Sequence, residues 1–185
     1  MKLKAVVCLL AFFSFTAVAF AQDTAKVDIF AGYSYVRDNP STSGVSSFNL
    51  HGGSASVAYN ANHWLSAVAD FGGYHANNIL GSGIDGTIST YLFGPRVSYR
   101  KFERVTPFAQ TLFGVAHASG SGFGVSSTSN AFAATFGGGM DVRLSHHFSF
   151  RPAQVEYLLT RFPEATSSRE TQNNLRVSTG FVFHF

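Results

Sequence analysis

Apolar residues in this sequence recur at every second position, and this spacing restricts the fold more than any other feature. From Val27 to Tyr35 each odd-numbered residue is apolar, while Asp28, Gly32 and Ser34 stand between them. Successive side chains of a β-strand point to opposite faces, so the pattern predicts strands with one apolar face. After residue 21 no apolar run is long enough for a membrane-spanning helix.

Segments with this alternation recur along the chain and predict an all-β fold. We place eight of them, at 26–36, 48–59, 64–74, 88–99, 106–116, 131–144, 148–158 and 174–185. The fifth is the least clear, because both of its faces are apolar apart from Gln110.

The connections between these segments alternate in length. Long polar connections are expected at 37–47, 75–87, 117–130 and 159–173, and short ones at 60–63, 100–105 and 145–147. An antiparallel up-and-down transmembrane β-barrel has this arrangement, with long outer loops, short periplasmic turns and an even number of strands. Closing the sheet removes free strand edges, whose backbone N–H and C=O groups would have no hydrogen-bond partner in lipid.

The polar face decides between this barrel and a soluble one that points its apolar face inward. That face is rich in Gly, Ser and Ala and poor in charge, which suits a narrow lumen better than a solvated surface. Aromatic residues near segment ends fit the interfacial girdles of a membrane barrel. The girdle residues are predicted to be Tyr33, Tyr35, Tyr59, Trp64, Tyr74, Tyr91, Tyr99 and Tyr157.

The first 21 residues differ from the rest of the chain. Lys2 and Lys4 precede an apolar stretch that ends in Ala19-Phe20-Ala21. A charged start, an apolar middle and small residues at the exit are typical of a secretory signal peptide. We therefore expect a signal peptide over 1–21, cleaved after Ala21, and one barrel domain over 22–185.

Charge and cysteine content exclude several classes of protein. Without Lys2 and Lys4, eleven of the 13 Lys and Arg residues remain against 10 Asp and Glu. This near-neutral balance gives no basic surface for nucleic acid. The single cysteine, Cys8, lies in the leader, so no disulfide is expected. No pattern predicts a cofactor.

The end of the chain, "STGFVFHF", resembles the C-terminal signal of bacterial outer-membrane barrels, with Ser178, Gly180, Phe183 and Phe185 at the matching positions. The wider chain resembles the small eight-stranded outer-membrane barrels of the OmpA transmembrane-domain and OmpX type, most clearly in "FGPRVSYR", "TPFAQTLFGVAHA" and "GGGMDVRL". The resemblance implies contact with outer-membrane lipid and lipopolysaccharide. It also implies recognition of the last strand by the outer-membrane assembly machinery.

Charged residues on the inward face predict a lumen filled by ion pairs. They are Asp28, Asp70, Asp141 and Glu156 against Arg96, Arg143 and Arg176. An eight-stranded barrel has an interior that side chains can just fill, and buried charges need partners. We expect Glu156 to pair with Arg176, and Asp70 with Arg96. Residues of one strand at even and odd positions face opposite sides, and we call this property parity. Arg151 has the opposite parity from Glu156 and would therefore face lipid. We expect a bulge near Pro152 to return it to the lumen beside Asp141.

A structural or surface-interaction role is the function that these features favour, with a possible extracellular ligand at the loops. A narrow ion or solute pore is the first alternative. The second is a lipopolysaccharide-modifying enzyme that would use His51, His75 or His117 with a serine at the outer rim. No catalytic residue and no metal site is predicted. The stretch "GSGIDG" matches a dinucleotide fingerprint, but a polar loop precedes it and a strand follows it, so we reject it.

Overall fold

A computed structural model describes residues 25–39, 47–77, 85–122, 125–163 and 169–185. The expected signal peptide lies outside these residues. Within them, no helix is long and apolar enough to cross a membrane. The strands are β1 (Val27–Asp38), β2 (Phe48–Asn60), β3 (Leu65–Ala76), β4 (Asp85–Ser98), β5 (Val105–Gly122), β6 (Val125–Arg143), β7 (Phe148–Pro163) and β8 (Arg169–His184).

The eight strands form one closed antiparallel barrel in which each strand pairs with its neighbours in sequence. The last strand closes the sheet by pairing with the first, with Gly32 opposite Gly180. At the seam, the backbone N–H of Val27 donates to the carbonyl of Phe185 (3.1 Å), and the N–H of Phe185 donates to the carbonyl of Val27 (2.9 Å). The all-β, eight-stranded barrel predicted from alternation is confirmed.

The two ends of the barrel differ in their connections. One end, here called the turn end, carries the short connections 61–64, 99–104 and 144–147 together with Val27 and Phe185. The opposite end, called the loop end, carries the remaining four connections. The predicted long loop at 117–130 is wrong, because β5 continues to Gly122 and β6 begins at Val125. Their backbone ladder extends through Gly- and Ser-rich sequence, which lacks the alternation of apolar and polar residues that marks a strand.

Large apolar side chains face outward over the whole barrel. Among them Phe93, Phe113, Phe132 and Phe136 are each more than half exposed to the surroundings, as a lipid-facing surface requires. Tyr74 departs from the predicted girdle. It is an even-numbered residue of β3, so it points into the lumen, where it is 1% exposed.

A β-bulge interrupts β7. Between Arg151 and Gln154 the chain advances three residues while β8 advances two, from Gly180 to Ser178. Both Pro152 and Ala153 therefore lie on the outward face, and the residues on either side of them point inward. Proline cannot donate to a ladder, and bulges are where it is tolerated in a sheet. The expected bulge is confirmed, and it returns Arg151 to the lumen with 0% exposure.

Candidate functional site

The centre of the lumen is built around Arg176 of β8. Its Nε donates to Oε2 of Glu156 on β7 (2.7 Å), and its Nη1 donates to Oδ1 of Asp70 on β3 (2.7 Å). The hydroxyl oxygen of Tyr74 accepts a second bond from Nη1 (3.0 Å). Arg176, Glu156 and Asp70 are at most 1% exposed, so this ion triad is held entirely by protein groups.

Two glutamines extend the triad across the barrel. Gln110 Nε2 donates to Glu156 Oε1 (2.8 Å), and its Oε1 accepts a bond from Arg96 Nε (2.8 Å). Gln154 Nε2 donates to Glu156 Oε2 (2.7 Å), and its Oε1 accepts a bond from Arg151 Nη1 (2.6 Å). Because an amide can donate and accept at once, each glutamine links an arginine to a carboxylate that this arginine does not touch.

The third arginine is fixed by a carboxylate and two rings. Arg151 Nε donates to Asp141 Oδ1 (2.6 Å), and its Nη2 donates to Asp141 Oδ2 (3.0 Å), which is a bidentate contact. The guanidinium carbon lies 4.4 Å from the ring centroids of both Phe30 and Phe108. Arg96 covers the same Phe108 ring at 4.6 Å. Cation–π contact of this kind stabilises a desolvated guanidinium.

Together these residues form a connected set, here called the lumen network. It contains three carboxylates, Asp70, Asp141 and Glu156, and three guanidinium groups, Arg96, Arg151 and Arg176, joined through Gln110, Gln154 and Tyr74. Its formal charge is balanced. Arg96 Nη2 is buried without a hydrogen-bond partner in the part of the chain that the structure describes.

Two expectations about the lumen charges are wrong. Asp70 pairs with Arg176 instead of Arg96, because Asp70 lies opposite Leu92 in the β3–β4 register and Arg96 lies opposite Ser66, nearer the turn end. Arg143 is exposed. It is the last residue of β6, where a long side chain reaches water beyond the lumen.

Asp28 belongs to a separate cluster at the turn end. Its Oδ1 is 2.7 Å from His184 Nδ1, and its Oδ2 accepts bonds from Asn60 Nδ2 (2.9 Å) and Arg100 Nη2 (3.2 Å). His184 Nε2 lies 2.7 Å from Ser149 Oγ. These contacts tie β7, β8, β1 and β2 to the turn after β4, across the seam where the barrel closes.

Between the lumen network and the loop end, apolar side chains fill much of the lumen, together with buried polar ones that include Thr90, Thr135 and Asn174. Buried side chains of five strands form this layer, with Val36, Leu50, Leu92, Leu112 and Leu158 each at most 2% exposed. Phe48 and Ile88 pack against it. These apolar side chains, here called the apolar layer, continue the filling of the lumen that the charged residues begin.

The residues of the C-terminal signal have separate positions. Ser178 points inward and its Oγ lies 2.6 Å from that of Ser34. A Cβ on Gly180 would meet the carbonyl oxygen of Ala31 at 2.3 Å, so only glycine fits at the seam. Phe183 and Phe185 face outward, 44% and 68% exposed, and Phe183 packs against Phe148 with ring centroids 5.0 Å apart.

The three histidines near the loop end contact residues on neighbouring strands. His51 Nδ1 is bonded to the hydroxyl of Tyr33, and His117 Nδ1 to Oδ1 of Asn130. His75 is bonded to Thr87 and Asn77. Among the residues that the structure describes, none of these three accepts a serine hydroxyl, and no group of three His, Cys, Asp or Glu residues could hold a metal ion.

Sequence reasoning missed the residues that connect the charges. Gln110 and Gln154 have inward parity, so their positions were readable, but a glutamine in a strand carries no signal of what it bonds. Arg100 lies in the short turn after β4, where a solvated side chain is the default, and it reaches back to Asp28. Contacts of this kind depend on side-chain reach across the lumen, which alternation does not encode.

Comparison with known proteins identifies the family. The model of the outer membrane protein beta-barrel domain matches residues 5–185. No curated protein matches the sequence.

Several solved structures share the fold. Neisserial surface protein A has a TM-score of 0.69 at 12% identity, covering 89% of this chain and 100% of that chain. The attachment invasion locus protein Ail of Yersinia pestis has a TM-score of 0.61 at 18% identity, covering 88% and 99%. The N-terminal β-barrel domain of Pseudomonas aeruginosa OprF has a TM-score of 0.55 at 13% identity, covering 87% and 98%. The chain belongs to the family of outer-membrane β-barrel proteins, and its place is the bacterial outer membrane.

Proposed function

We propose that this protein is a closed outer-membrane barrel that acts through its outer surface and not through its lumen. The observation that carries this proposal is the lumen network, whose carboxylates and guanidinium groups at the barrel centre, Asp70, Glu156, Arg96, Arg151 and Arg176, are each at most 3% exposed. Ion flow needs a continuous aqueous path, and side chains this buried leave no room for one at their level.

Charge balance supports a permanent plug over a gated pore. Each carboxylate of the lumen network accepts a hydrogen bond from a guanidinium group. Opening a path would expose at least one of these groups without its partner, and breaking a buried pair is costly. The apolar layer toward the loop end would remain as a second barrier.

We assign the turn end to the periplasm and the loop end to the cell exterior, as in other barrels with short turns at one end. The leader over 1–21 and its cleavage after Ala21 belong to the same proposal. An epitope tag inserted within 40–46 should be labelled on intact cells, while one inserted at 61–63 should need permeabilised cells. Mass spectrometry of the purified barrel should find Gln22 as its first residue. Labelling of the second tag on intact cells would show that the turn end faces the cell exterior and would contradict the assigned orientation.

The last strand is proposed to carry the assembly signal. Phe183 and Phe185 line up on its outward face, and its backbone pairs with β1 only once the barrel closes. Before closure that edge is free to pair with a strand of the assembly machinery, which is recognition by strand addition.

Surface interaction is proposed to reside at the loop end. Binding residues are concentrated on loops held by a rigid scaffold. The β5–β6 hairpin adds a paired extension there, since the register continues to Gly122 opposite Val125. Ail, which shares the fold, has been solved in complex with the heparin analogue sucrose octasulfate. A barrel that shares this fold thus binds a heparin analogue, and we extend this kind of binding to the loop end of the present chain.

Retention on immobilised heparin tests the surface role. Cells displaying the native protein would be compared with cells displaying a variant in which 40–46 and 78–84 are replaced by short Gly-Ser linkers. The proposal expects the native protein to retain more cells than the variant at equal surface levels. Equal retention by both would contradict a role of these loops in binding this polyanion.

The relay Ser149–His184–Asp28 has the connectivity of a hydrolase triad, and we assign it to closure of the seam instead. Ser149 is only 3% exposed, which leaves its hydroxyl little access to a substrate. Its three members lie on β7, β8 and β1, so the relay crosses the β1–β8 seam at which the barrel is closed.

A further inference from the structure

A cavity of about 320 Å³ opens at the loop end of the lumen, above the apolar layer. Residues of several strands line it, among them Asp38, Phe48, Leu50, Ile88, Ser129 and Gln172. Its volume lies at the lower end of the ~300–1,000 Å³ that small-molecule sites occupy. The cavity is separate from the lumen network, which none of these residues joins.

Asp38 is the unusual part of its wall. It is the last residue of β1 and is 5% exposed. Its Oδ1 is buried and has no hydrogen-bond partner among the residues that the structure describes. No Lys, Arg or His of that part of the chain forms an ion pair with it. The side chain has a hydrogen bond with Asn174. A buried carboxylate with one oxygen unbonded and no cation beside it is nevertheless costly, so the position favours a ligand that supplies a cationic donor.

The rest of the wall defines what the donor must be attached to. Phe48, Leu50 and Ile88 present apolar surface beside the carboxylate. Water alone would supply hydrogen bonds to Asp38 but would leave the apolar wall in contact with water. A ligand with an ammonium group on a compact apolar body would satisfy the carboxylate and cover the apolar wall at the same time.

The strand ends around Asp38 are well fixed, so the cavity is preformed on its β1–β8 side. The backbone N–H of Asn39 donates to Asn174 Oδ1 (2.9 Å), and Asn39 Nδ2 donates to the carbonyl of Asn173 (2.9 Å). These bonds hold the end of β1 against β8 and fix the position of the carboxylate. A preformed site loses less conformational freedom when a ligand binds.

We propose that this cavity binds a small amphiphilic cation, with Asp38 as its counter-ion and the Phe48–Leu50–Ile88 wall as the seat of its apolar body. The inference rests on the proposed surface function only in placing the cavity on the outside of the cell. Binding to the purified barrel does not depend on that placement, and neither retention on heparin nor the closed state of the lumen depends on Asp38. Failure here is therefore distinguishable from failure of the proposed function.

Calorimetry of the protein in phosphatidylcholine nanodiscs tests the site, with phenethylamine as the probe and 2-phenylethanol as its neutral counterpart. Empty nanodiscs measure partitioning into lipid. We expect saturable binding of the amine at least about tenfold tighter than that of the alcohol. Asp38→Asn should abolish this preference, while Asp85→Asn, which changes an exposed acid of the same rim outside the cavity, should preserve it.

A second variant covers the case in which Asp38→Asn does not fold. Ala118→Phe fills the cavity from β5 and leaves the carboxylate in place, and it should prevent binding of both probes. Equal affinity for amine and alcohol would overturn the proposal. So would an amine affinity that neither Asp38→Asn nor Ala118→Phe changes, or native protein that binds no more probe than empty nanodiscs.

Discussion

At the scale of single residues, Arg176 has the largest predicted effect. It bonds both Glu156 and Asp70, which are buried with it. Arg176→Met leaves two buried carboxylates without their cation, and we expect it to lower the free energy of unfolding by ~3–5 kcal/mol. Urea unfolding from lipid vesicles, followed by the fluorescence of the only tryptophan, Trp64, measures the change.

The matched variant removes the charges together. Glu156→Gln combined with Arg176→Met removes one charge of each sign and leaves two carboxylates, Asp70 and Asp141, with two guanidinium groups, Arg96 and Arg151. The lumen network then stays balanced, so the double variant should be more stable than Arg176→Met alone. A double variant that loses as much as or more than the single one would contradict the account of the lumen charges as a mutually compensating set.

A second prediction at the residue scale concerns the close packing of the backbone around Gly180. A Cβ there would meet the backbone of Ala31 and Gly32 at the seam, while a Cβ on Gly73, on the outward face of β3, would meet nothing within 4 Å. We expect Gly180→Ala to cost ~1–3 kcal/mol of unfolding free energy and Gly73→Ala to change it by less than ~0.5 kcal/mol. The same urea experiment compares the two variants. Equal changes in unfolding free energy would mean that the backbone at the seam can shift to accommodate a Cβ.

At the scale of elements, alternation predicted the strands well and their ends poorly. The spacing of apolar residues is imposed by lipid on one side, so it marks only the part of each strand that lipid covers. The β5–β6 hairpin continues past that part with Gly and Ser on both faces, and its sequence looks like a loop. The prediction of Tyr74 among the lipid-facing aromatics is wrong because it relied on the residue type, whereas the even-numbered position of Tyr74 in β3 points it into the lumen.

The β7 bulge gives a prediction about deletions. Pro152 and Ala153 both face outward, so deleting Pro152 restores regular alternation and keeps Arg151 and Gln154 inside. Deleting Val155, in the regular part of the strand, shifts every residue on one side of it to the opposite face. We expect the Pro152 deletion to fold and the Val155 deletion to fail. Heat-modifiable migration in detergent gels reports folding, and failure of both would show that the bulge itself is required.

Two outward-facing phenylalanines, one of them at the end of the chain, allow the effects on stability and on assembly to be measured separately. Phe185, which directly follows β8, and Phe136 on β6 are outward-facing and 68% and 67% exposed. Phe185→Ala and Phe136→Ala should therefore lower stability in vesicles by similar amounts. Only Phe185→Ala should slow insertion into the outer membrane of cells, measured by pulse-chase appearance of the heat-modifiable form. Equal delay for both variants would remove the assembly role of the terminal phenylalanine.

At the scale of the whole molecule, the sequence predicts the barrel itself. It predicts only in part which side chains fill the lumen and how they pair. Which residues face inward follows from parity, and parity placed most of the charged groups in the lumen. The partners were not predictable, because Asp70 and Arg176 belong to strands far apart in sequence that meet only across the closed barrel. The same holds for Asp28 and His184, which are joined by the seam.

Single-channel conductance in a planar bilayer tests the central claim, that the lumen is closed by its own side chains. The native protein should give no steady current. Arg96→Ala alone should stay silent, because the Arg176 triad and the apolar layer remain. Glu156→Ala and Arg176→Ala combined with Leu112→Ala and Leu158→Ala, which remove both barriers, should open a narrow path. A steady current through the native barrel that Arg96→Ala alters would contradict the closed state and make the lumen the functional site.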